Sequence, residues 1–136
     1  LDDRQFKKAV LVLTTGMNIF LFISFVWPTG LNLREGIVYD LHTLSGNLLK
    51  FVQTVDTPKS VFPSMHVYVT LVLQYTLEMQ KKLVPSWGIW VGRVLAVLIV
   101  LSTMFTKQHS VLDVSAAIVM FEVLAVVVEK IVKNKE

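Results

Sequence analysis

The sequence predicts an all-α transmembrane helix bundle, and three features carry that prediction. Residues 9–27 are 19 consecutive positions without a charge; at about 1.5 Å per residue they reach roughly 28 Å as a helix, close to the hydrocarbon thickness of a bilayer. Residues 87–105 and 110–128 form two more apolar runs of similar length. The mean hydropathy is +0.62, and the 54% hydrophobic content lies above the usual range for soluble domains. The expected architecture is a single membrane-embedded domain over residues 1–136. It has four membrane helices, with 63–79 added to the three runs above, plus one amphipathic interfacial helix.

Taken in order, residues 2–8 carry Arg4, Lys7 and Lys8, a basic cluster suited to the headgroup region at the start of a membrane helix. The first helix stops at Trp27-Pro28: Trp favours the interface, and Pro cannot continue a helix. Residues 29–61 are the long connection. Leu33, Ile37, Leu41, Leu44, Leu48 and Val52 recur there at helical spacing among polar residues, which predicts an amphipathic helix on the membrane surface. Asp56-Thr57-Pro58-Lys59 supplies turn chemistry. The second membrane helix starts near Pro63, a residue suited to a first helical turn, with Ser64 as a potential cap. Lys81-Lys82 and Pro85-Ser86 make a basic turn into 87–105. The connection from there to 110–128 is short enough to predict that the last two helices are antiparallel neighbours. In such a pair Arg93 and Glu122 reach similar depth and are expected to form an intramembrane ion pair.

Charge assigns the sides. Arg4, Lys7, Lys8, Lys81, Lys82, Lys130, Lys133 and Lys135 are eight cations in short flanks, against Arg34, Lys50, Lys59 and Lys107 on the other side. The positive-inside rule therefore places both termini in the cytoplasm and the long connection outside. The same bias accounts for the net charge of +3 and excludes nucleic acid as the partner; the bilayer is the partner instead. The chain has no cysteine, which excludes a disulfide framework and any cysteine-based metal site or nucleophile. A cleaved signal peptide is not expected, since the first apolar run is long and no small-residue cleavage site follows it.

Four spans put His66 and His109 on the same extracytoplasmic face. His109 and Asp113 are four apart at the start of a helix and share one side of it. A carboxylate that accepts from one imidazole nitrogen leaves the other free as base or nucleophile. His66 sits in a first helical turn, where exposed N–H groups and the helix dipole favour an anion. With Ser64, Lys59, Lys107 and Arg34 as further donors, the expected anion is phosphate and the expected chemistry is phosphoryl transfer, with no metal or cofactor called for. Each histidine alone reads more readily as an interfacial or capping residue. His42, which belongs to no motif, is assigned to the surface, and Ser102 and Thr103 are expected to bond back to helical carbonyls.

Pro63-Ser64-Met65-His66 matches a Pro-Ser-x-His motif. Ser102, His109 and Asp113 fit Ser-Arg-x5-His-x3-Asp at its spacing. Together, over about residues 28–128, they resemble the type 2 phosphatidic acid phosphatase superfamily, which includes lipid phosphate phosphatases, inositol phosphoceramide synthase-like transferases and soluble vanadium haloperoxidases. The resemblance implies a membrane lipid phosphate or polyprenyl pyrophosphate phosphatase at the outer face of a bacterial inner membrane. His109 would be the nucleophile, Asp113 its orienting group, His66 the acid, and Ser64 a phosphate contact. A phosphotransferase that passes the phospho-headgroup to a lipid alcohol, or a catalytically inactive lipid-binding relative, would share these residues. The departures are specific. In the Lys-x6-Arg-Pro motif, Arg34 would be the arginine, while Trp27 and Glu35 stand at the lysine and proline positions. Thr103 stands at the arginine of the second motif. Lys59 and Lys107 are the expected substitutes. The membrane members resemble six-helix bundles, so two further helices are expected before Leu1.

Overall fold

The computed structural model describes residues 3–29, 35–55 and 62–134. They form five helices and, among the described residues, no strand: α1 (Asp3–Val26), α2 (Leu44–Val55), α3 (Met65–Met79), α4 (Ser86–Phe105) and α5 (Val111–Lys133). The fold class is all-α as predicted, and α1, α4 and α5 are long and apolar enough to cross a membrane. At 15 residues, α3 reaches only about 22 Å and is not among them.

Helix α3 is the axis of the bundle, packing against α1, α4 and α5, while α1 and α5 also pack on each other. Gln5 at the start of α1 donates through Nε2 to the carbonyl of Met79 at the end of α3, at 2.9 Å. Lys8 pairs with Glu129 near the end of α5 at 3.1 Å. Both contacts make α1 antiparallel to α3 and α5, so α3 and α5 run parallel with their N-termini at one end. The core between these three helices is Val12, Val67, Tyr68, Val72, Val114, Ala117, Phe121 and Val128. Tyr68 is its largest member and is fully buried; a buried phenol needs a partner, and its hydroxyl donates to the carbonyl of Val12. The ring lies edge-on to Phe121, with centroids 6.4 Å apart. Gly16 permits this approach, because a Cβ there would fall 2.1 Å from Tyr68 Cζ.

Two expectations about neighbours fail. The short α4–α5 connection does not make those helices partners: α4 packs on α3, and α5 packs on α3 and α1. The reason is that the connection crosses the start of α3, where the Ser64 N–H donates to the Asp113 carbonyl at 3.1 Å and fixes α5 against α3. Consequently Arg93 does not meet Glu122. Its Nε donates to Glu78 Oε1 on α3 at 2.8 Å, and its guanidinium lies 5.3 Å from the centre of the Trp90 ring. Glu122 is exposed and forms no ion pair with a described residue.

The amphipathic helix expected in the long connection starts later than its apolar spacing suggests. Asp40 Oδ1 accepts from the His42 N–H at 3.0 Å, and Thr43 Oγ1 accepts from the Gly46 N–H at 3.1 Å. These local bonds compete with helix over the preceding residues and cap α2 at Leu44. Similarly, Pro63 precedes the cap of α3 instead of entering its first turn, and Ser64 is the N-cap.

Candidate active site

The histidines meet where α3 and α5 begin. His66 lies on the first turn of α3 and is exposed; His109, two residues before α5, is buried. His66 Nδ1 and His109 Nε2 are 3.3 Å apart, and the ring centroids are 5.6 Å apart with planes inclined by 59°. An N···N contact of that length needs one N–H and one lone pair facing each other.

Backbone bonding sets this geometry. The N–H groups of Gln108 and His109 both donate to the Thr103 carbonyl, at 3.0 and 3.2 Å, which folds the chain back over the end of α4. Lys107 makes the turn with a positive φ of 54°. Ser110 then caps α5: its Oγ accepts from the Asp113 N–H, and Asp113 Oδ2 accepts from Ser110 N at 2.7 Å and from Ser110 Oγ at 2.8 Å. This reciprocal capping box holds the Asp113 carboxylate, 5% exposed, with Oδ2 engaged by Ser110. Among the described residues the side-chain hydrogen bonds of Asp113 come from Ser110 and not, as the spacing predicts, from His109. The Ser110-x-x-Asp113 pattern was readable in the sequence as a helix start, a second role for a residue singled out there only as a histidine partner.

The other predicted site residues divide. Ser64 is fully buried; its hydroxyl accepts from the Val67 N–H, so it builds the junction beneath the histidines. Lys107 is exposed and lies two residues before His109. Arg34 and Lys59 lie outside the described residues. At the position of the missing arginine, Thr103 is buried and returns its hydroxyl to the Val100 carbonyl at 2.8 Å. Ser102 does the same with Ile99 at 2.8 Å. Both bonds are the helix back-bonding the sequence suggests. His42 is exposed.

Gln53 carries no signal of a site role in the sequence. It is 7% exposed, accepts through Oε1 from the Tyr39 hydroxyl at 2.6 Å, and donates through Nε2 to the Thr106 carbonyl at 2.7 Å. A glutamine in an amphipathic segment reads as part of the polar face, and only its burial reveals a tie to the His109 loop. Among the described residues no three His, Asp or Glu side chains converge as a metal-ligand set. A cleft of about 350 Å³ lined by Gln74, Tyr75, Glu78, Glu122 and Glu129 lies between α3 and α5 toward the opposite end from the histidines.

The arrangement therefore offers an imidazole pair at one end of an apolar bundle, a buried carboxylate four residues after the buried member, and a lysine on the same loop. No protein-family model, no curated protein and no solved structure matches the chain.

Proposed function

We propose that the chain is a member of the type 2 phosphatidic acid phosphatase superfamily, a lipid phosphate or polyprenyl pyrophosphate phosphatase. It works through a phosphohistidine at the extracytoplasmic face of a bacterial inner membrane, with both termini cytoplasmic. The observation that supports this most is the 3.3 Å contact between His66 and His109. These residues stand 43 positions apart in the chain, and their motifs demand that they meet.

The resting contact suggests the proton order. With His66 Nδ1 donating, His109 Nε2 keeps its lone pair, the electron pair a nucleophile needs. Its other nitrogen then carries the proton, and Asp113, four residues on, would stabilise the imidazole as charge develops. Attack forms the N–P bond and breaks the P–O bond to the leaving group, a lipid alcohol for a monoester or a lipid monophosphate for a pyrophosphate, and His66 gives its proton to the departing oxygen. Water then attacks phosphorus, returns a proton to His66, and the N–P bond breaks to release phosphate. Phosphorus and the leaving oxygen must fit between the two nitrogens, which calls for a separation on the order of 5–6 Å. His66, exposed on a helix start, is the ring able to swing aside. Lys107, together with Arg34 and Lys59, would neutralise the phosphate oxygens.

A second reading, a catalytically inactive lipid-binding relative, draws support from the absence of a cation at Thr103. One assay separates the two: release of phosphate from phosphatidate, phosphatidylglycerophosphate and undecaprenyl pyrophosphate in EDTA. Turnover that His109→Ala abolishes supports the phosphatase. Binding without turnover across the panel leaves the inactive reading. Product formed only when a lipid alcohol is added assigns a transferase.

A further inference from the structure

Helix α2 has two opposite faces with different partners. Leu44, Leu48, Phe51 and Val55 are 78, 53, 66 and 69% exposed, and at about 100° per residue they lie within roughly 60° of one another. Gln53 sits about 170° away from the centre of that stripe, and its side chain is buried against Tyr39 and the Thr106 carbonyl. Thr106 closes the end of α4: its N–H and its hydroxyl both donate to the Ser102 carbonyl, at 2.9 and 2.7 Å. Its hydroxyl lies 3.0 Å from Gln108 Oε1. His109 follows one residue after Gln108. Helix α2 thus grips the loop that carries the candidate nucleophile with one face and turns an apolar face away from the bundle.

What that apolar face meets follows from its surroundings. The end of α1, with Phe25 at 88% and Trp27 at 73% exposure, and the end of α4, with Phe105 at 82%, present apolar side chains at the same end of the bundle. Lys50 of α2 is exposed off the stripe, where its stem can reach lipid phosphates. The stripe continues the lipid-facing belt of the spanning helices, and its occupant is the outer leaflet of the bilayer.

We infer that α2 couples the bilayer surface to the candidate active site: its stripe seats in the leaflet, and Gln53 is a positioning residue that holds the His109 loop. The coupling rests on the proposed function only for its catalytic consequence. Two measurements are independent of activity. The chain has no cysteine, so Leu48→Cys can carry a single nitrobenzoxadiazole label in phosphatidylcholine vesicles. Nitroxide lipids should place the label about 5–10 Å into the leaflet; a label quenched only by aqueous iodide overturns the seating. In nanodiscs, the His109 Cε1–H signal should move in Gln53→Met, which keeps the volume and removes both hydrogen bonds, and in Leu48→Asp, while the His42 signal stays. An unmoved His109 signal in either variant overturns the coupling. On a substrate the wild type hydrolyses, Gln53→Met should lower kcat about tenfold per folded molecule with KM within about twofold; equal kcat removes its positioning role. If the wild type hydrolyses nothing, the phosphatase reading fails, and the label and the His109 signal still decide the inference.

Discussion

Substituting Gly16 by alanine tests the packing that holds α1 to the axis helix. The added Cβ would lie 2.1 to 2.3 Å from Cζ, Oη and Cε1 of Tyr68, where ordinary contact begins at 3.4 Å. Ring or helix would have to give by about 1.3 Å, the difference of those distances. The ring has nowhere to go. It is fully buried, tied through its hydroxyl to Val12 on α1 itself, and stands against Phe121. Overpacking a filled core costs about 1–3 kcal/mol, and a ring confined on every side puts Gly16→Ala near about 3 kcal/mol, roughly a hundredfold in the folding equilibrium. Helix content followed during SDS titration of dodecylmaltoside micelles measures it. Because the two sites touch, Gly16→Ala with Tyr68→Ala should cost less than the sum of the single changes by at least about 1 kcal/mol. A Gly16→Ala protein within about 0.5 kcal/mol of wild type, or strict additivity, would refute the packing argument.

Other perturbations reach the loop and the far end. Ser110→Ala removes the capping box, and should cost about 1 kcal/mol of stability and lower turnover beyond that loss, because Asp113 Oδ2 loses the hydroxyl donor; unfolding curves and kcat on the same sample separate the effects. Lys107→Gly relieves a left-handed backbone that costs an L-residue about 1–2 kcal/mol while deleting a cation proposed to bind phosphate. It should melt higher than Lys107→Ala, and both should raise KM for the lipid phosphate. Arg93→Ala breaks a half-exposed pair with Glu78 whose net worth is about 1 kcal/mol or less. Since the pair lies far from the histidines, kcat per folded molecule should not change.

Much of this was legible in the sequence because it depends on local chemistry. Long apolar runs set the three helices able to cross a membrane, Ser64 announced a helix start, and segments of alternating direction put His66 and His109 at one end. Their contact needed only that parity and two caps. What the sequence concealed depends on which faces dock. A short connection suggested that α4 and α5 are neighbours, yet the Ser64–Asp113 backbone bond draws α5 to α3, so Arg93 finds Glu78 in place of Glu122. Apolar spacing alone began α2 too early, since it does not register that Asp40 and Thr43 satisfy backbone groups locally. Gln53 was invisible for a related reason: whether a polar side chain is solvated or buried against a loop carbonyl is a property of tertiary packing.

The phosphohistidine is the sharpest test of the function proposed for the His66–His109 pair. Wild-type protein in EDTA, mixed with a lipid substrate labelled with ³²P at the transferred phosphate and quenched in base within milliseconds, should retain label that is stable to base and released by acid. The label should map to the peptide containing His109, vanish in His109→Ala, and accumulate in His66→Ala when the substrate carries a leaving group too good to need protonation. Label on another residue, or phosphate released at the wild-type rate by His109→Ala, would contradict the account.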